Sequence, residues 1–208
     1  VKFLEIFLLC LNINFKNCNI ELNKKMRNPD SYQRIVIKVG SAVLAKPNGS
    51  VNNAILSAIS EDIAWLLKKQ HDVLVVSSGA IALGRKKINL SKEPGLSESQ
   101  AMAAHGQIEL MSAWKKSLNK FSIPIGQMLL TPRDTELKIS SQNAKQTIAK
   151  LLEAGCLPII NENDSTATDE IKFGDNDLLA AKVAKLVGAD LLVMLSRVDG
   201  LYSSKEDV

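Results

Sequence analysis

The side chains best suited to chemistry lie in the stretch LPIINENDSTATDEIKFGDND, from Leu157 to Asp177. Its apolar start, Leu157–Ile160, has the composition of a buried strand and drops at once into NEND; a second polar cluster, GDND, closes it. Carboxylates and amides packed this way suit a small polar ligand or a metal-bound phosphate, and in an open α/β sheet ligands sit beyond the carboxyl ends of strands. A solvated turn accounts for one such cluster, but poorly for two that flank a threonine-rich loop. Lys38 ends the apolar run RIVIKV, Arg34–Val39, just before Gly40-Ser41. An ammonium in an apolar strand is costly unless it reaches a polar partner; here it can meet a phosphate or snorkel to solvent. Ser77-Ser78-Gly79-Ala80 follows the buried run Val73–Val76 and offers hydroxyls and backbone N–H groups to an anion, or an ordinary helix cap. Ser196–Gly200 follows the run Asp190–Leu195 in the same way.

Helices are needed between these points. Ile55, Ile59, Ile63 and Leu66 recur at helical spacing and predict an amphipathic helix over Asn52–Gln70, with Lys68 and Lys69 near the end that favours cations. Ile81–Leu96 mixes Gly, Lys, Asn, Pro and Ser and reads as an excursion. Ser97 and Gln100 have capping-box spacing and start a helix to Leu118. Gly106 inside it lowers stability unless something packs close, and the lone His105 reads as structural. Ile123–Leu130 is a strand candidate broken at Gly126-Gln127, Thr131–Lys138 a polar loop, and Ser140–Glu153 a helix ended by Gly155. Asp175–Val187 is a helix with Leu178, Leu179, Ala181, Val183 and Leu186 as its apolar face. Strands alternate with helices, which predicts an α/β fold with a mostly parallel sheet covered on both faces. Helical crossovers then bring the carboxyl ends of the strands to one edge, so that the separate polar turns form one site.

Composition narrows the classes. The chain of 208 residues is 46% hydrophobic with a formal charge of +4, and only 4% of it is aromatic. That excludes a dedicated nucleic-acid surface, which needs a dense basic face with stacking aromatics. Cys10, Cys18 and Cys156 are odd in number and lack metal-ligand spacing, which favours a reduced, cytoplasmic protein. No Gly-rich loop ending in Gly-Lys-Ser/Thr follows Lys38, and no GxGxxG follows the first strand, which argues against the common NTPase loop and a dinucleotide-binding oxidoreductase. Residues 1–33 read as a leader outside the domain, disordered or a spurious extension. Val1–Phe15 is apolar, but it carries Glu5, has no small-residue cleavage site and is too short to span a bilayer. An amphipathic surface segment, a targeting signal and a start at Met26 stay open.

Together, IVIKVGSAVL (35–44), VVSSGAIALGR (75–85), AMAAHGQ (101–107), GQMLLT (126–131), PIINENDSTAT (158–168), IKFGDNDLLAA (171–181) and LSRVDGLY (195–202) resemble the amino acid kinase family over residues 34–204. Within it they are similar to the kinases that phosphorylate the γ-carboxylate of L-glutamate at the start of proline biosynthesis. The resemblance implies a three-layer αβα sandwich with a mostly parallel open sheet. It implies ATP and Mg²⁺ as cofactors, with no metal ligands assigned to the protein. It implies L-glutamate as substrate, a downstream glutamyl phosphate reductase, a homo-oligomer, and no nucleic-acid or membrane partner. By the same resemblance Lys38 contacts the transferring phosphoryl group and Asp177 orients that lysine. Ser78, Asp164 and Asn176 hold glutamate, Gly79 and Ala80 offer backbone groups, and Gly40, Ser41, Ser196 and Arg197 meet ATP. Residues 86–96 are a candidate lid. Arg197 stands where the family usually has aspartate. Residues 34–208 correspond to the N-terminal portion of the kinase domain. The GTGGM-type segment with a second catalytic lysine and the PUA domain of many bacterial members have no counterpart here, which leaves open a non-catalytic fragment that binds only a ligand or partner. Kinases of the same family acting on acetylglutamate, aspartate or UMP are the other alternative, opposed by GQMLLT and Asp164.

Overall fold

The computed structural model describes residues 5–9, 32–85, 88, 94–166 and 175–196, with residues 5–9 and 175 described as backbone. In chain order the elements are strand β1 (Glu5–Leu9), strand β2 (Arg34–Val39), a helical turn α1 (Ser41–Leu44), helix α2 (Asn53–Lys68), strand β3 (Asp72–Ser77), helix α3 (Ala80–Gly84) and helix α4 (Leu96–Leu118). Strand β4 (Ile125–Leu130), helix α5 (Pro132–Glu136), helix α6 (Lys138–Glu153), strand β5 (Leu157–Glu162), helix α7 (Asp175–Val187) and strand β6 (Leu191–Leu195) follow. The strands form one sheet in the order β1-β6-β2-β3-β5-β4, and every pairing in it is parallel.

Alternate residues of each strand feed opposite layers. Ile35, Ile37, Val39, Val73, Val75, Leu157, Ile159, Leu191 and Val193 pack with residues of α1, α2, α3 and α4. Val36, Leu74, Val76, Ile160 and Leu192 pack with Ala144 and Ile148 of α6 and with Leu179, Ala180, Val183, Ala184 and Val187 of α7. Burial on both faces explains why β2 and β3 read as continuous apolar runs rather than alternating ones. The expected αβα sandwich with a parallel sheet is the observed fold.

Several local expectations need correction. Residues 1–33 are not wholly outside the fold. Glu5–Leu9 adds an edge strand parallel to β6, with Glu5 opposite Leu191 and Leu9 opposite Leu195, and Tyr32 is buried in the core. Without β1, β6 would present an unpaired row of backbone groups. The excursion begins later than Ile81, because Ala80–Gly84 is a helix with Leu83 buried. Thr131–Lys138 is no loop either. Proline at the first helical position suits α5, and the Thr131 N–H and hydroxyl both donate to Asp134, at 2.7 Å each. Helix α4 starts at Leu96, not Ser97, and the Gly95 N–H donates to the Glu98 carboxylate at 2.9 Å. Gly126-Gln127 does not break β4. A Cβ on Gly126 would lie 2.6 Å from the Leu151 side chain, so the glycine lets α6 close on the strand. Most of the candidate lid, residues 86–87 and 89–93, lies outside the described residues.

Candidate active site

Because all strands are parallel, the carboxyl ends of β2, β3, β5 and β6 lie along one edge of the sheet. Lys38 is the next-to-last residue of β2, opposite Val76 of β3 and Met194 of β6. Strand alternation turns it to the α7 layer, where only 8% of the residue is exposed. Its ammonium forms an ion pair with Asp177 in the first turn of α7. The pair answers the cost of burying a cation, and the helix N-terminus is where a carboxylate is favoured. Asp177 keeps 44% of its side chain exposed, so one end of the pair opens to the strand-end edge.

Two glycines stand at the turns after β2 and β3. Gly40 donates its N–H to Leu195 O at 3.1 Å, joining the ends of β2 and β6 just before Ser196. A Cβ on Gly40 would stand 3.5 Å from Lys38 Nζ and 3.4 Å from Leu195 O, in ordinary contact with both. Gly79 has φ +116°, a left-handed backbone that strongly favours glycine. It lies against Ser41, 3.9 Å from the Ser41 Cα measured from a Gly79 Cβ. The Ser78 N–H donates to Val39 O at 2.9 Å. These contacts bring Gly40, Ser41, Ser78, Gly79 and Ala80 side by side.

The end of β5 supplies a second group. Asn161, 2% exposed, receives the Asn176 Nδ2 donor at 3.2 Å and the Glu162 N–H at 2.9 Å on its Oδ1, while its Nδ2 donates to Gln107 Oε1 of α4 at 2.8 Å. Asp164, buried at 9% exposure, lines a cleft of about 480 Å³ with Ala80, Gln107, Gln127 and Asn163. Helix α4 is held to this edge by two close approaches. A Cβ on Gly106 would fall 1.8 Å from Ala80 O, and one on Gly84 would fall 1.9 Å from Met102 O. The glycine that weakens α4 as an isolated helix is what lets it cross α3 backbone to backbone. Trp114 of α4 adds a hydrogen bond from Nε1 to Ser77 Oγ at 2.9 Å.

The fold therefore assembles Lys38, Gly40, Ser41, Ser78, Gly79, Ala80, Asp164, Asn176 and Asp177 along one edge. Ser196 follows β6 at the same edge, while Arg197 lies outside the described residues. Asn161 and Gln107 are central to the site but were given no role from sequence. Asn161 stands in the same NEND cluster as Asp164, and Gln107 follows the mid-helix glycine; those positions were the available signals.

A buried cation at strand ends, glycine turns and a row of amides suit the binding of anions and of a small polar molecule. The amino acid kinase family pattern matches residues 33–208. The chain belongs to the amino acid kinase family. It is 55% identical over 177 residues to glutamate 5-kinase of Allorhizobium ampelinum, covering 83% of this chain and 44% of that protein. Glutamate 5-kinase of Agrobacterium fabrum is 55% identical over 175 residues, 84% of this chain and 45% of its own length. Glutamate 5-kinase 1 of Rhizobium meliloti is 52% identical over 184 residues, 88% of this chain and 47% of its own. The chain thus spans about half the length of the curated relatives it matches. No helix among the described residues is long and apolar enough to cross a membrane.

Proposed function

We propose that this member of the amino acid kinase family takes part in ATP-dependent phosphorylation of the γ-carboxylate of L-glutamate, giving L-glutamyl 5-phosphate, the first step of proline biosynthesis. The observation that carries the reading is the ion pair of the buried Lys38 with the half-exposed Asp177 at the strand ends, beside the Asn161–Asn176 amides. A carboxylate is already ionised at neutral pH and needs no general base. The difficulty of the reaction is to bring two anions into line and to spread the charge of the transferring phosphoryl group. In this reading Lys38 contacts that group and Asp177 holds the lysine in place. Gly40, Ser41, Ser196 and Arg197 receive the nucleotide, and Ser78, Gly79, Ala80, Asp164 and Asn176 receive glutamate. The carboxylate of Asp164 suits the substrate ammonium, which selects an amino acid over a bare diacid. One oxygen of the γ-carboxylate attacks the γ-phosphorus of ATP, and the bond to the leaving ADP oxygen breaks.

Mg²⁺ is commonly held by phosphate oxygens with one or two carboxylates rather than by a protein cage. Among the described residues no group of three His, Cys, Asp or Glu side chains converges, and the half-exposed Asp177 carboxylate is a hard oxygen donor of the kind that Mg²⁺ takes. When bound with ATP it supplies further charge neutralisation at the phosphates. The acyl phosphate product reacts readily with water, so a following reductase and a cytoplasmic site of action belong to the same reading, as does a homo-oligomer.

A hydroxylamine trap tests it. The chain is incubated with glutamate, ATP, Mg²⁺ and hydroxylamine, and γ-glutamyl hydroxamate is measured against a Lys38→Ala control. Hydroxamate that vanishes in the control is the expected result. A folded chain that makes none overturns the catalytic part of the proposal.

A further inference from the structure

Amides in contact constrain each other's polarity. The Glu162 backbone N–H reaches the Asn161 side chain at 2.9 Å. A backbone N–H can only donate, so the oxygen of the Asn161 amide has to stand there and its nitrogen has to point away. That nitrogen donates to Gln107 Oε1 at 2.8 Å, and Asn176 Nδ2 donates to the same Asn161 oxygen at 3.2 Å. One backbone group thereby sets the orientation of all three side chains. The two ends of the row are then fixed as well. Gln107 Nε2 is left as a donor on the α4 side and Asn176 Oδ1 as an acceptor on the α7 side. Both atoms are enclosed and have no partner among the described residues. Enclosed polar atoms without partners are uncommon, because their lost hydration goes uncompensated.

An amino acid carries on its α-carbon a carboxylate, which the free Gln107 donor can meet, and beside it an ammonium. Its orientation follows from the faces of the sheet. The γ-carboxylate has to reach Lys38, which faces the α7 layer. The α-end therefore lies toward α4, in the cleft that Gln107 lines with Asp164 and Ala80. Gly106 fixes the position of Gln107 there, since its backbone rests directly on Ala80 O.

Resting on the reading of glutamate as acceptor, we propose that Gln107 is a substrate-binding specificity residue. Its Nε2 donates to the α-carboxylate of glutamate, while its Oε1 holds the Asn161 amide, and the ammonium lies with Asp164 in the same cleft. The site thus selects a free α-carboxylate as well as an α-ammonium.

The test is a binding measurement on the full chain by titration calorimetry, with glutamate and with isoglutamine, its α-amide. Gln107→Glu keeps the acceptor for Asn161 but replaces the donor with a carboxylate. Glutamate binding is expected to weaken by at least about tenfold, the effect of losing one hydrogen bond to a charged group. The preference shifts toward isoglutamine, whose α-amide can donate to the new carboxylate. A general loss of structure does not produce that shift. Gln107→Met removes the donor without adding charge and is expected to bring the two ligands toward parity; it decides the matter if Gln107→Glu does not fold. An unchanged preference for glutamate in a folded variant overturns the role of Gln107 alone. A wild-type chain that binds no glutamate overturns this role together with the glutamate reading. Wild-type binding without hydroxamate formation removes only the catalytic step.

Discussion

The two faces of the sheet hold the site by different means. On the α4 face, backbones touch: Gly106 against Ala80 and Gly84 against Met102 leave no room for a methyl group. The fully buried Trp114 ties the same helix to Ser77 at the end of β3. On the α7 face, one ion pair between Lys38 and Asp177 and one amide contact between Asn176 and Asn161 join helix to sheet at the site. Steric contact is short-ranged and unforgiving, because a packed interior has no spare volume. An ion pair whose carboxylate is half-exposed is adaptable, because water can hydrate Asp177 in place of the lysine. In the proposed reaction, the α4 face is a fixed wall for the substrate end of the site, and the α7 face leaves the cation able to exchange a protein carboxylate for phosphate oxygens.

If that contrast is right, substitutions on the two faces should separate activity from stability. The largest effect is expected for Lys38→Met, which should lower hydroxamate formation by roughly 10²–10³-fold, the scale of losing one preorganised charge-stabilising group. The melting temperature should change little, because Asp177 is 44% exposed and can be hydrated. A large loss of stability instead would show that the ion pair is a structural clamp. Gly106→Ala should behave in the opposite way. Its Cβ would stand 1.8 Å from Ala80 O, and forcing the helices apart is expected to cost about 3 kcal/mol, or roughly 6–12 °C in melting temperature for a domain of this size. An unshifted melting curve would remove the close crossing as the reason for the glycine. Trp114→Phe keeps most of the ring volume and removes the bond to Ser77 Oγ; about 1 kcal/mol of destabilisation is expected by denaturant titration. Ile139→Ser, at a residue 77% exposed on α6, should stay within about 0.5 kcal/mol of the parent. A larger loss there would mean that the α6 surface is covered by something.

Legibility followed the range of the interactions. Lys38 could be found because a charged residue in an apolar strand violates a local rule, and the violation needs a partner. Asp164, Asn176 and Asp177 could be singled out because polar clusters at strand-to-helix junctions exceed what turns require. The helix at Pro132–Glu136 was missed although its signals, Thr131, Pro132 and Asp134, are local; the polar composition hid them. Glu5–Leu9 was missed for a different reason. An edge strand is defined by the neighbour it pairs with, and β6 lies more than half the chain away. The roles of Asn161 and Gln107 also arise only between elements, since an amide's chemical part depends on which way its partners turn it.

By itself the sequence determined the period of each element, the alternation of strands with helices and therefore the parallel sheet, because hydrophobic spacing is set by residues close along the chain. It also placed the polar junctions at one end of that sheet, through the handedness and length of the crossovers. Only the tertiary structure decided that Lys38 meets Asp177, that α4 rests its backbone on α3, and that Gln107, Asn161 and Asn176 form one oriented row. Those contacts join residues from separate elements at distances of a few ångströms, and the position and direction of such groups are fixed by packing rather than by any local pattern.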